Sequence, residues 1–312
     1  MPFITSGLGV PWLLLVFTGG STQALCTLAK WPLEDAPAPP MLFWLHVPKT
    51  GTSFRKTVVD YACPKLGHGN RLTSGRQAEL INQSMCAHRF DAESYSDHKS
   101  VPTTSCGSAM TMLREPRSRL ISAFHFGGGG GMHGLSDEKR RAELLELSYE
   151  ARLRAYSKSP EVRNVQTKMV LGLHRYAKLL DAQLDAGKAK HLIRNCFCFV
   201  GDQGRWTESA WLFNNSMAGA QVSPIVTDIH ENKGSYAPDQ KASDLQLLDD
   251  YEDLDTALFR ESTRLIDERI NCVLDAGDPV HALTERKRLK VLTERRRLDA
   301  ETDRTERERR RL

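Results

Sequence analysis

Met41-Leu42-Phe43-Trp44-Leu45-His46-Val47-Pro48-Lys49-Thr50-Gly51-Thr52-Ser53-Phe54 is the most informative stretch of the chain. Its first five residues are apolar and read as a buried strand. Arg55 to Tyr61, just beyond it, has helix-forming character. A strand, a tight loop carrying Lys, Gly, Thr and Ser, and then a helix start is how a backbone builds a phosphate cradle. Free N–H groups at the helix start face the anion, and a lysine adds a mobile positive charge. Gly51 lets the backbone approach a ligand closely. The loop is not the nucleotide-triphosphatase signature, in which Lys follows the second Gly and a hydroxyl beside it holds magnesium. Here Lys49 precedes the loop's single Gly, and Pro48 stiffens the entry. The plain alternative is an ordinary strand-to-helix turn.

Outward along the chain, Ser108 to Leu113 reads as a second buried strand, ending in Arg114-Glu115-Pro116-Arg117-Ser118-Arg119-Leu120-Ile121-Ser122-Ala123-Phe124. Pro116 suits the first turn of a helix. Arg114 then stands at the C-terminal end of a strand, where ligands gather in open α/β sheets. Ser122 falls about two turns into the helix and can share a face with its start. Charge from Arg114 and a hydroxyl from Ser122 could grip one phosphate.

Together the two segments resemble the PAPS-dependent sulfotransferases, which use 3′-phosphoadenosine 5′-phosphosulfate, and most of all the Golgi carbohydrate (heparan-sulfate-like) branch. Pro48 to Ser53 resembles that family's 5′-phosphosulfate loop, with one Gly where many relatives have two. Arg114 to Phe124 resembles its 3′-phosphate motif, about sixty residues downstream. Weaker echoes follow at Asn164-Val165-Gln166-Thr167-Lys168, at Phe199 to Ser209 with Gly204 in place of an acidic residue, and at Leu254 to Phe259.

The resemblance implies an α/β fold of three layers, a central parallel sheet flanked by helices, with a P-loop-like nucleotide site. PAPS would be the co-substrate, and no metal is required. Lys49 would screen or protonate the departing phosphate. Thr50, Gly51, Thr52 and Ser53 would hold the 5′-phosphate and sulfonate, and Arg114 with Ser122 the 3′-phosphate. A base must take the acceptor's proton, and histidine is apt because it titrates near neutrality. Of ten histidines, His88 lies between the two motifs, where relatives carry a catalytic His or Glu. His68 and His98 compete with it. His46, on the strand, reads as structural, and His125 lies past Ser122. The acceptor implied is a hydroxyl of a glycan or proteoglycan. Three rivals stay open: a protein tyrosine acceptor, a nucleotide phosphotransferase, and a non-catalytic nucleotide- or glycan-binding relative. The missing triphosphatase loop weighs against the second.

The 312 residues and 40% apolar content suit one α/β domain, placed at residues 41–275. Residues 1–29 carry no charged side chain. Phe3 to Phe17 would span about 22 Å as a helix, short of a hydrocarbon core of about 30 Å. A cleaved signal peptide is preferred, with a signal anchor as the alternative, so membrane association would run through this segment. The localisation expected is the secretory pathway, either the Golgi lumen or outside the cell. Residues 30–40, with Pro32, Pro37, Pro39 and Pro40, read as a linker.

Seven cysteines fit the same compartment, and Cys196 and Cys198, read along one strand, are not expected to pair with each other. Asn82 and Asn214 begin glycosylation sequons. Gly127 to Gly131 is a five-glycine run that could hinge a lid. From Thr284 to Leu312 there are twelve basic and seven acidic residues, whereas the whole chain is only +4. The basic excess is thus confined to the tail, residues 276–312, which reads as solvated and partly helical. A nucleic-acid partner is not expected, and oligomeric state is not legible.

Overall fold

The computed structural model describes residues 42–51, 54, 58, 106–126, 131–216, 238–275, 287 and 291. Three strands form one sheet in the order β1 (Phe43–Leu45), β2 (Ala109–Leu113) and β3 (Phe197–Asp202). Both pairings are parallel, with Leu45 opposite Thr111 and Leu113 opposite Asp202. All three strands therefore end on the same edge. Every strand residue is buried, which is why the sequence shows continuous apolar runs rather than alternation.

The helices are α1 (Pro116–Phe124), α2 (Glu138–Leu145), α3 (Tyr149–Ser157), α4 (Val165–Val170), α5 (Ala186–Asn195), α6 (Trp206–Ser216), α7 (Pro238–Leu247) and α8 (Leu254–Asp275). Phe54 and Val58 are helical as well. The chain is thus mixed α/β, a small parallel sheet flanked by helices. Phe43, Leu45, Phe197 and Val200 pack on Val165 and Met169 of α4, Ile193 of α5, and Leu258 and Leu265 of α8. Trp44, which alternates with Phe43 and Leu45, and Phe199, beyond the register shift that pairs Ala109 with Phe197 but Met110 with Phe199, join an aromatic cluster instead. Phe54 stacks on Phe199 with centroids 5.3 Å apart and meets Trp206 at 5.3 Å and Phe213 at 5.6 Å, both edge-on. Such pairs add about 0.5–1.5 kcal/mol each beyond area burial. Phe54 therefore anchors the segment that follows the 46–53 loop. A second cluster under α1 and α3 contains Leu120, Phe124, Leu153 and Tyr156.

The sequence carries helical patterns over 136–157 and 176–193, and over 244–270 a helix pair or one long helix; the first two are interrupted. The stretch 136–157 divides into α2 and α3 because Ser148 caps a new start, its hydroxyl accepting from Ala151 N at 3.4 Å. Within 176–193, only a 3-10 turn at Asp181–Gln183 and then α5 form. Asp185 fixes that later start by accepting from Lys188 N at 2.8 Å. The 244–270 region is a helix pair, α7 and α8.

Cys106 and Cys196 form a disulfide that ties the starts of β2 and β3, at the edge away from the strand exits. Cys272 is disulfide-bonded too. Cys198 keeps a buried thiol donating to Ala109 O at 3.3 Å, and burial pushes it up to about 12. Cys196, just past the end of α5, pairs with Cys106, while Cys198 within β3 keeps its thiol. Among the described residues, no helix is long and apolar enough to cross a membrane. The N-terminal segment, the linker, both alternative histidines and nearly all of the charged tail lie outside the described residues.

Candidate functional site

The site is built at the exits of three adjacent parallel strands. β1 leaves through His46, Val47 and Pro48, all buried, into a turn at Lys49. Lys49 takes φ 69°, a left-handed conformation uncommon outside glycine. The Thr50 hydroxyl donates to Val47 O at 2.9 Å and closes this turn. Its proton is thereby committed, and the group Thr50 offers to an anion is its backbone N–H. Gly51 sits at φ 108°, and an added Cβ would meet Gln203 Cγ and Trp206 Cζ3, each at 3.4 Å. The loop after β3 therefore lies against the loop after β1. Thr52 and Ser53 lie outside the described residues.

β2 delivers Arg114 beside that loop. The Arg114 guanidinium, through Nη1, donates to Lys49 O at 3.1 Å, joining positions 65 residues apart. The strand end is held by Gln166 of α4. Arg114 N donates to Gln166 Oε1 at 3.0 Å, and Gln166 Nε2 donates to Arg114 O at 3.0 Å. A backbone donor and a backbone acceptor on one residue fix the amide's orientation. Gln166 is fully buried and is itself held by Asp255 at the start of α8. That carboxylate accepts from Gln166 N at 3.1 Å and Thr167 N at 2.7 Å. Burial, then the nearby Asp253 charge, raises the Asp255 carboxyl, while Arg119 and the Thr167 bonds oppose the rise. Asn164, at φ 53°, accepts from Leu254 N at 2.8 Å and locks the same junction.

Glu115 caps α1, accepting from Arg117 N at 3.1 Å and Ser118 N at 2.7 Å. Burial opposes its charge, but the bonds from Ser118 and Arg117 hold the carboxyl below its usual range. The N-terminus of α1 is thus filled by its own cap, so an anion at Arg114 would be gripped by side chain. Pro116 takes the first helical position, as expected. Ser122 lies on α1 two turns further on, half-buried. No described hydrogen bond joins it to Arg114.

Lys49 Nζ lies 2.8 Å from the ring centroid of Phe126, just past α1. Burial first, and then the like charge of Arg114, lower its ammonium to about 8. Burial and the nearby Arg114 guanidinium both oppose the Lys49 charge, an arrangement that an anion would relieve. Lys49 and Arg114 thus bring two cationic side chains together at the exits of β1 and β2.

After β3, Ser209 Oγ accepts from Asp202 N at 2.8 Å and donates to Asp202 O at 3.1 Å. Gly204 stands where an acidic residue was expected, and Arg205 pairs instead with Asp267 at 2.7 Å and Glu208 at 3.7 Å. Sequence reasoning named Lys49 and Arg114 but assigned no role to Gln166, Gln203, Trp206 or Phe126. Gln166, Gln203 and Trp206 stood inside quoted segments; Phe126 carried no local signal. His88, His68 and His98 lie outside the described residues, and His46 is buried at 8% exposure. No cluster of His, Cys, Asp or Glu among the described residues is arranged to hold a metal ion. A separate cleft of about 490 Å³, lined by Lys139, Arg140, Lys158 and Lys178 among others, shares no residue with this site. No family model, no curated protein and no solved structure matches the chain.

Proposed function

We propose that the chain is a sulfotransferase that moves a sulfuryl group from PAPS to a hydroxyl of a glycan or proteoglycan in the secretory pathway. The observation that carries this reading is the Arg114–Lys49 contact at 3.1 Å. It joins the two segments that resemble the 5′- and 3′-phosphate motifs of that family. In this reading the 46–53 loop is a P-loop-like cradle for the 5′-phosphosulfate. Lys49, Thr50, Gly51, Thr52 and Ser53 line it, and Arg114 and Ser122 take the 3′-phosphate.

The transfer needs the acceptor oxygen, the sulfur and the bridging oxygen in line. The acceptor oxygen bonds to sulfur as the bond from sulfur to the 5′-phosphate oxygen breaks. Charge then grows on that phosphate. Lys49, with its ammonium lowered to about 8, is suited to screen it or give it a proton. A histidine takes the acceptor's proton, and the sequence nominates His88 for this step. A disulfide between Cys106 and Cys196 fits an oxidising compartment.

The test is transfer of radiolabelled sulfuryl from PAPS to chemically desulfated heparin, chondroitin and a tyrosine-containing acidic peptide. Label should enter a glycan, and Lys49→Ala should reduce transfer at least a hundredfold. Label entering the peptide alone would redirect the reading to protein tyrosine. Binding of adenosine 3′,5′-bisphosphate (PAP) without transfer to any hydroxyl would favour a non-catalytic relative.

A further inference from the structure

The cleft beside α2 and α3, which the donor site leaves unused, is joined to Lys49 by a row of rings. Lys49 Nζ lies 2.8 Å from the centroid of Phe126. Phe126 meets His133 edge-on with centroids 5.3 Å apart, and His133 meets Tyr176 at 5.7 Å. The Tyr176 oxygen lies 3.0 Å from His133 Nδ1, and the Arg175 guanidinium stands over the Tyr176 ring at 4.8 Å. Phe126 is 52% exposed, and His133 and Tyr176 are half-buried. Such rings offer an apolar body to a ligand and keep polar atoms at the rim.

The row ends at the cleft. Gly134, at φ 103°, lies so close to Tyr176 that an added Cβ would stand 2.8 Å from its Cε1 and 3.2 Å from Val162 Cγ1. The segments that bear His133, Val162 and Tyr176 are therefore packed together, and each supplies the cleft: Asp137 from the first, Glu161 from the second, Lys178 from the third. The cleft, about 490 Å³, also takes in Lys139 and Arg140 of α2 and Lys158 just past α3.

The acids of the cleft are engaged locally. Asp137 caps α2, accepting from Arg140 N at 3.0 Å. Glu161, buried, accepts from the Ser159 hydroxyl at 2.6 Å and holds Lys178 at 3.2 Å. Glu143 pairs with Arg140 at 3.4 Å. Lys139 and Lys158, both exposed, form no salt bridge among the described residues. The floor is fixed from below, where the fully buried Lys168 of α4 donates to Pro160 O. A concave site with two ammonium groups left over concentrates its field on an anion.

We propose that this cleft anchors an anionic glycan acceptor, and that the rings of Phe126, His133 and Tyr176 are its path to Lys49. This rests on the sulfotransferase reading and gives that reading an acceptor class. One sugar presents its hydroxyl at Lys49, the next pack on the rings, and a carboxylate or sulfate further along the same chain lies between Lys139 and Lys158. A neutral glycan would leave these lysines unused. Two linked subsites make affinity grow with chain length.

The experiment uses the full chain, with desulfated heparin, which keeps its carboxylates, as a disaccharide and as a long chain. PAP binding is titrated first. Binding of each glycan is then followed by calorimetry, and kcat and KM by transfer from PAPS. Wild type should bind the long chain at least about tenfold more tightly than the disaccharide, an advantage that added salt removes. Combined Lys139→Gln and Lys158→Gln should cancel that advantage and raise KM for the long chain about tenfold, with kcat and PAP affinity unchanged. Tyr176→Leu should raise the same KM severalfold. Wild-type KM in the double lysine variant, or equal affinity for a long chain with its carboxyls reduced, would overturn the proposal. An equal loss on Lys287→Gln with Lys290→Gln in the tail would reduce the effect to general charge and also overturn it. An acidic peptide that binds as tightly as the long chain, and is lost with the same two lysines, would give the cleft to a protein partner instead. Wild-type protein that binds the long chain through these lysines but does not bind PAP would uphold the cleft and overturn only the donor reading.

Discussion

Lys49 combines two unfavourable features, a left-handed backbone and an ammonium lowered to about 8 by burial and by Arg114. The backbone alone costs on the order of 1 kcal/mol. On the proposed reading, a bound anion would offset both. The sign follows from proton binding. The folded chain releases the Lys49 proton near pH 8 and the unfolded chain near 10.5. Between these values the unfolded chain holds more protons, so this residue's contribution to unfolding free energy rises with pH. Below pH 8 the penalty is present in full. Lys49→Met should therefore stabilise the unliganded protein at pH 7 by about 1–2 kcal/mol after solvent screening, a gain that disappears towards pH 10.5. Urea unfolding at several pH values measures it, and a destabilised variant would contradict the account. The same substitution should abolish the thermal stabilisation by PAP. At Gly51, Ala would be strained and pressed on Gln203 and Trp206. Gly51→Ala should cost about 1 kcal/mol in stability and weaken PAP binding more than tenfold, read by calorimetry.

At the scale of elements, the β2–α1 corner is held from outside by α4 and α8. Gln166→Leu would leave the backbone donor and acceptor of Arg114 unpaired in a buried place. The expected loss is about 2–4 kcal/mol, with PAP affinity falling although Gln166 touches no ligand in this account. Gln166→Glu keeps one acceptor and should fall between. Unchanged PAP affinity in a folded Gln166→Leu protein would show that Arg114 needs no such support. This arrangement also explains what the sequence could reveal. The two loops were readable because Pro, Gly, Lys and Arg at strand ends carry local turn and charge signals. The role of Asn164, Gln166 and Asp255 was not, because their hydrogen bonds span 52 to 90 positions and follow no local period. The breaks at Ser148 and Asp185 could have been read from their capping chemistry, which helical periodicity across 136–157 and 176–193 concealed.

Across the whole molecule, the disulfide and the candidate site occupy opposite edges of the sheet. The disulfide closes a loop of 90 residues, for which chain entropy alone gives about 4–5 kcal/mol. Paired Cys106→Ser and Cys196→Ser substitution should lower the melting temperature by several degrees, measured by calorimetry. PAP affinity at a permissive temperature should hold, since the pinned ends lie away from the strand exits. The parallel order was foreshadowed by largely apolar strand segments, but which strands are neighbours was visible only in the fold.

The central claim is that the exits of β1 and β2 form one site for a nucleotide bearing both 5′- and 3′-phosphates. Calorimetric titration of the protein with PAP, adenosine 5′-monophosphate and ATP with magnesium tests it most directly. The account predicts tight binding of PAP, at least a hundredfold weaker binding of the monophosphate, and loss of that preference in Arg114→Ala. No binding, or a preference for ATP with magnesium, would contradict it.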